Sequence, residues 1–157
     1  MPRVVKKTLI EDIGLAAQAY QRSTDAFDDA VATALKLNRT DLRCLDLLFG
    51  GPASAGELAA ATGVTLSATT TMLDRLQKRN LVRRVPDSVD RRKVLVEMTE
   101  EGLAVAERFY GPLAQEGAAQ LTSFTAAELE AIKAYLVRSR HLVEKHRQRI
   151  GGEDPSA

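Results

Sequence analysis

The sequence predicts a mainly α-helical protein carrying one small β-hairpin, and three observations predict it. Apolar residues recur at helical spacing along most of the chain, the period drops to two only over residues 81–98, and capping signatures punctuate the helical stretches. Alanine is abundant and β-branched runs are few, which favours helix. The 157 residues suffice to bury a core, and 45% hydrophobic with 27% charged residues describes a globular rather than a disordered chain. Aromatics are scarce and tryptophan is absent, so aliphatic side chains must do most of the packing.

The first segment, residues 8–36, places Ile13, Ala17, Tyr20, Thr24, Phe27, Val31 and Leu35 at steps of three and four, one helical face held for about seven turns. So long a stripe exceeds what a small domain covers alone. Part of it is expected to be a subunit interface, with an intramolecular partner as the competing account. A second helix starts near Thr40 as N-cap, runs through Leu42, Leu45, Leu48 and Phe49, and stops at Gly50-Gly51-Pro52. Ser54-Ala-Gly-Glu57 is a capping box opening a short helix over 55–61. Gly63 supplies the left-handed backbone of a tight turn, and Thr65 leads into a helix over 65–79 closed by Asn80.

The alternating stretches Leu81–Val85 and Lys93–Met98 read as strands around a turn, with Val94, Val96 and Met98 sharing a face. Thr99 caps the next helix, and Glu100 and Glu101 suit its first turn. That helix carries Leu103, Ala106, Phe109, Tyr110 and Leu113, and Gly111-Pro112 is expected to kink or break it. Thr125-Ala-Ala-Glu128 is a second capping box, opening a last helix with Leu129, Ile132, Leu136 and Val143 on one face. Residues 151–157 read as a disordered tail.

Net charge is only +1, but it is unevenly spread. Residues 1–73 carry −1, residues 74–93 carry +5, and residues 94–157 carry −3. A solvated basic patch would explain such a window taken alone. The order of elements around it weighs against that: helix, short helix, tight turn, helix, hairpin is the outline of a winged helix-turn-helix. In that arrangement the helix after the turn enters the major groove, where base pairs display distinguishable donors and acceptors. Both the helix and the hairpin fall within or beside the basic window.

The stretch Leu58–Gly102, and above all LDRLQKRNLVRRVPDSVDRRKVLVEMTEEG over Leu73–Gly102, resembles the MarR family of bacterial transcriptional regulators. The wing pattern D-x-x-D-R-R, followed by an alternating strand and T-x-x-G, carries the resemblance; helix order and length extend it over the chain. The resemblance implies a winged helix-turn-helix fold in a triangular dimer. Residues 1–36 and 123–150 would be dimerisation helices, 37–100 the DNA-binding lobe, and 101–122 a linking helix. It further implies a sequence-specific repressor on a palindromic operator in double-stranded DNA, with Arg92 entering the minor groove and Asp90 bracing it. A narrow minor groove concentrates negative potential and attracts guanidinium. Arg91 and Lys93 would serve phosphates; hairpin cohesion is the competing role for Asp90 and Arg92.

On the recognition helix Thr69, Met72, Leu73 and Leu76 are expected in the core, leaving Leu66, Ser67, Ala68, Thr70 and Thr71 for DNA. Arg75 matches a family arginine that meets the DNA backbone. The leading face lacks Arg, Lys, Asn and Gln, so specificity is expected to lean on thymine methyls and DNA shape. Many relatives release DNA when a small aromatic or phenolic ligand enters a crevice. Tyr20, Phe27, Phe109 and Tyr110 are the candidates to line one, with plain core packing the competing reading.

Cys44, the single cysteine, excludes an internal disulfide framework and fits the cytoplasm. It is expected to be a buried structural thiol, with redox sensing as the alternative. The N-terminus lacks a signal-peptide pattern and no apolar run reaches the ~18 residues of a membrane span. No cofactor, metal or enzymatic role is expected. His141 and His146 lie about 140° apart around a helix, and no nucleophile elbow or phosphate loop is present. A winged helix used only for protein contacts is a third reading, and it predicts no salt-dependent DNA binding.

Overall fold

A computed structural model describes residues 3–151, with side chains from residue 5 onward. The expected tail lies outside the described residues except for Gly151, which ends the last helix. The chain forms two compact units, residues 1–109 and 110–157. Among the described residues no helix is long and apolar enough to cross a membrane.

The first unit opens with α1 (Arg3–Leu35) and α2 (Arg39–Phe49). The N-cap of α2 is Asn38, not Thr40. Asn38 has extended backbone and its Oδ1 accepts from the Asp41 N–H at 2.8 Å, while the Asp41 carboxylate accepts from the Asn38 N–H at 3.0 Å. This reciprocal box satisfies two donors that the helix start would otherwise orphan, which is why Asn38 prevails over the lone hydroxyl of Thr40. Leu42, Leu45 and Leu48 are buried as expected, but Phe49, at the end of α2, is 65% exposed.

After the two-residue strand β1 (Ala53–Ser54) come α3 (Ala55–Thr62) and α4 (Leu66–Lys78). The capping box at Ser54 and Glu57 forms, and Gly63 closes α3 at φ 75°. Thr65 caps α4, its hydroxyl accepting from the Ala68 N–H at 3.2 Å. Asn80, at φ 56°, ends α4 in a left-handed turn that sends the Leu81 N–H back to the Leu76 carbonyl at 3.0 Å. That bond commits Leu81 to the helix end, so β2 starts one residue later than expected, as Val82–Pro86.

β3 (Val94–Met98) pairs antiparallel with β2, from Val82 opposite Met98 to Pro86 opposite Val94. It also pairs with β1, Ala53 opposite Val96 and Ser54 opposite Leu95, giving a three-stranded sheet in the order β1-β3-β2. The third strand had no counterpart in the sequence reading. Val96 and Met98 reach the core, whereas Val94 is 55% exposed because the hairpin has by then left the body of the unit.

The core joins Cys44, Leu45 and Leu48 of α2 to Leu58 of α3, Met72, Leu73 and Leu76 of α4, and Val82, Val96 and Met98 of the sheet. Full burial of each large aliphatic side chain contributes about 1.5–3 kcal/mol, against about 1 kcal/mol for one helix cap. Packing therefore dominates, and the caps set where the helices begin.

Helix α5 (Glu100–Leu121) leaves this core and continues into the second unit, followed there by α6 (Ala126–Gly151). The expected break at Gly111-Pro112 does not occur: α5 runs through Pro112. A proline removes one backbone donor, and its ring crowds the β-carbon of the residue before it, which Gly111 lacks. The second capping box forms, Thr125 donating its N–H to Glu128 at 2.8 Å. No residue of α6 is buried.

Candidate nucleic-acid interface

Helix α4 divides as its spacing demands. Thr69, Met72, Leu73 and Leu76 are buried, while Leu66, Ser67, Ala68, Thr70 and Thr71 are exposed. The threonine hydroxyls have a defined polarity. Thr70 donates to the Leu66 carbonyl at 3.0 Å and Thr71 to the Ser67 carbonyl at 3.2 Å. With each proton turned back onto the helix, the outward face offers oxygen lone pairs and methyl groups. Such a face complements thymine methyls and the exocyclic amines of adenine or cytosine, not the acceptor edge of guanine.

The eight cations of the 74–93 window fall into two groups. Arg75 binds the carboxylate of Asp41, which is 1% exposed. Arg79 donates to the carbonyls of Leu35 and Lys36. Arg83 pairs with Glu97 at 2.7 Å across the strands, and Arg84 with Asp74 at 2.6 Å. Lys78, Arg91, Arg92 and Lys93 are exposed, and no salt bridge engages them among the described residues. The charge that no salt bridge engages is thereby concentrated at the wing tip and on one edge of α4. Arg75, which the resemblance assigned to the DNA backbone, has first to satisfy a buried acid.

The wing tip is a braced turn. The Asp87 N–H donates to the Lys93 carbonyl at 3.0 Å and the Lys93 N–H to the Asp90 carbonyl at 2.8 Å. The Asp87 carboxylate accepts from the Val89 N–H at 2.9 Å, and that of Asp90 from the Arg92 N–H at 3.1 Å. Asp90 therefore holds the backbone of Arg92 rather than its guanidinium. An aspartate is short enough to fold back on the amide two residues on, so it fixes the direction in which Arg92 leaves the chain. Behind the wing, Glu57 is held below the usual carboxylate range by the Ser54 N–H and hydroxyl, with the positive charge of Lys93 adding to the effect.

The four aromatic candidates are less concentrated. Phe27 and Phe109 are half-buried, with the Arg108 guanidinium 5.4 Å from the Phe109 ring centre, and Tyr20 is 72% exposed. Tyr110, also half-buried, is the first residue of the second unit.

Cys44 lies inside the core, where burial, aided by the negative charge of Asp41, pushes its thiol up to about 12. The reactive species is the thiolate, so this environment suppresses oxidation at neutral pH. Cys44 is expected to stay unmodified in mass spectra after mild peroxide treatment of the folded protein and to react once the protein is denatured. Rapid modification of the native protein at pH 7 would contradict the structural assignment.

Sequence reasoning found the exposed face of α4 and the wing but gave Arg79 no role. Its partners lie 43 and 44 residues away, beyond any local pattern.

Comparison with known proteins agrees with this geometry. Residues 37–94 match the MarR family model. The chain is 32% identical to the uncharacterized HTH-type transcriptional regulator YcgE of Bacillus subtilis, over 81% of this chain and 83% of the relative. It is 35% identical to the HTH-type transcriptional repressor NicR of Pseudomonas putida, over 82% and 81% of the two chains. Apo MarR from E. coli superposes with TM-score 0.55 at 26% identity, covering 80% of this chain and 95% of that one. A MepR mutant from S. aureus shares the fold with TM-score 0.66 at 16% identity, over 83% and 96%. The chain belongs to the MarR family and is a winged helix-turn-helix transcriptional regulator.

Proposed function

We propose that this protein is a cytoplasmic repressor that binds a palindromic operator in double-stranded DNA as a homodimer. The observation that carries this reading is the sorting of the basic window. The cations of that window that no salt bridge engages among the described residues are those of the wing and Lys78, beside the exposed face of α4. In this reading Leu66, Ser67, Ala68, Thr70 and Thr71 face the major groove and Arg92 enters the minor groove. Arg91 and Lys93 grip phosphates, Asp90 holds the turn, and the exposed part of Arg75 meets the DNA backbone. Two relatives supply the analogies: NicR is named a repressor, and a MepR variant from S. aureus has been crystallised with an oligodeoxyribonucleotide.

The dimer rests on unpartnered apolar surface. Along α1, Leu9, Ile13 and Tyr20 face water, as do Leu136, Leu142 and Val143 on α6. On each helix taken by itself, large apolar side chains left exposed mark an association surface, and residues 1–36 and 123–150 are its proposed elements. Residues 37–100 form the DNA-binding lobe and 101–122 the link. A small aromatic or phenolic effector, with Tyr20, Phe27 and Phe109 as its candidate contacts in the first unit and Tyr110 in the second, would release the DNA by favouring another setting of the helices.

Selection of binding sites from random duplexes, followed by titration at increasing salt, tests the whole reading. Two chains of 17.1 kDa are expected per duplex. The logarithm of the association constant should fall linearly with that of the salt concentration, with a slope of about −0.9 per phosphate contacted. The selected half-sites should be rich in thymine and adenine under α4. A monomer in light scattering, or salt-independent binding, would refute the proposal.

A further inference from the structure

Arg79 lies just beyond α4 inside the basic window, where an unpaired arginine would serve a phosphate. Its guanidinium is turned the other way. Nη2 donates to the Leu35 carbonyl at 2.6 Å and Nη1 to the Lys36 carbonyl at 3.1 Å. These carbonyls end α1. The Leu37 N–H returns to Ala32 at 2.9 Å and the Lys36 N–H to Thr33 at 3.1 Å, so the turn itself satisfies the earlier carbonyls. Arg79 takes those of Leu35 and Lys36, and its charge also complements the negative end of the α1 dipole. A planar fork is suited to holding two acceptors at once in fixed geometry.

We propose that Arg79 is a positioning residue for DNA recognition, a strut that sets the reading helix α4 against the C-terminal end of α1. Two further arginines close a ring around it. Arg75 ties α4 to Asp41 of α2, and Arg39 ties α2 back to α1 through Asp29 at 2.6 and 3.0 Å and the Asp25 carbonyl at 3.2 Å. The bonds of Arg39 and Arg79 are both exposed, but the Arg39 link reaches α4 only by way of α2, whereas Arg79 joins the end of α1 to the end of α4 directly. A displacement of α1, by a second copy on its apolar face or by a ligand, is therefore transmitted to α4 through Arg79. This inference rests on the reading of α4 as the DNA-facing helix.

The test compares Arg79→Lys, which keeps the charge but loses the fork, with Arg79→Gln in the full-length protein. Each is titrated onto the selected duplex and onto an unrelated duplex of equal length, at several salt concentrations. Loss of the strut should weaken specific binding by Arg79→Lys about five- to tenfold, with non-specific affinity and salt slope unchanged. Arg79→Gln should weaken specific binding at least as much. If Arg79→Gln fails to fold, Arg79→Lys alone decides. A phosphate contact predicts the opposite: Arg79→Lys like wild type, and Arg79→Gln weaker on both duplexes with a shallower slope. That result, a parallel loss on both duplexes, or wild-type specific binding by Arg79→Lys, would overturn the proposal. A wild-type protein that prefers no duplex would instead overturn the DNA-binding reading itself, and the strut's role with it.

Discussion

Gly102→Ala is expected to destabilise the first unit by about 3 kcal/mol or more, at the upper end of the range for overpacking. The reason is space, not backbone conformation. A β-carbon at Gly102 would stand 2.2 Å from the Leu81 carbonyl oxygen and 3.1 Å from its carbon, so no side chain can rotate away to make room. Relief requires moving the start of α5 away from the Leu81 backbone. That movement strains the Thr99 N–H bond to the same Leu81 carbonyl at 3.1 Å, the Thr99 hydroxyl bond to the Asn80 carbonyl, and the Gly102 N–H bond to the Thr99 hydroxyl at 3.0 Å. Thermal unfolding at fixed protein concentration should show a Tm lower by about 10 °C, given roughly 2–4 °C per kcal/mol for a chain of this size. Gly117→Ala is the internal control. Its β-carbon would meet nothing within 4 Å, and alanine in a helix interior should stabilise by up to about 1 kcal/mol. Equal effects at the two positions would refute the packing argument. The threonine and glycine of T-x-x-G thus have a mechanical reason to stand where they do.

Arg92→Ala is expected to weaken operator binding about a hundredfold while leaving the fold intact. The Arg92 side chain is exposed, and no hydrogen bond or salt bridge ties it to the protein among the described residues, so its removal breaks no internal contact. A well-placed arginine contact on DNA is worth about 1–3 kcal/mol, and a dimer loses two of them. The salt slope should become shallower by about 0.9 for each phosphate interaction lost. Asp90→Ala offers a second, distinguishable result. It leaves the charge of Arg92 but frees an amide held at 3.1 Å, so affinity should fall less than for Arg92→Ala and the slope should not become shallower. Unchanged gel-shift affinity in Arg92→Ala would remove the wing from the proposed mechanism.

Much of this architecture was legible because the rules that specify it act over three or four residues. Ser54 with Glu57, Thr125 with Glu128, Thr99 and Gly63 are local devices, and each forms as its pattern dictates. The buried face of α4 follows from its period alone. Even the misplaced N-cap of α2 was available locally, since Asn38 and Asp41 stand three apart as Ser54 and Glu57 do. What escaped was tertiary. The strand Ala53–Ser54 is too short to alternate, and it exists only because β3 offers it partners some forty residues on. The fates of Arg75, Arg79, Arg83 and Arg84 were equally hidden, since charge counting cannot tell an arginine bound to its own protein from one kept for a ligand. Half of the apparent basic footprint proved to be internal fastening.

Ser54 belongs to two structures at once. Its backbone pairs opposite Leu95 in the sheet, while its hydroxyl and N–H form the cap of α3 with Glu57. The base of the wing and the first helix of the helix-turn-helix consequently share a residue that cannot release one without loosening the other. In amide exchange, the protecting bonds of β3 and the first turn of α3 should open as a single cooperative event. Under the proposed reading, the helix-turn-helix and the wing then reach the DNA as one preassembled tool, and the search for a site need not wait for its two prongs to find each other.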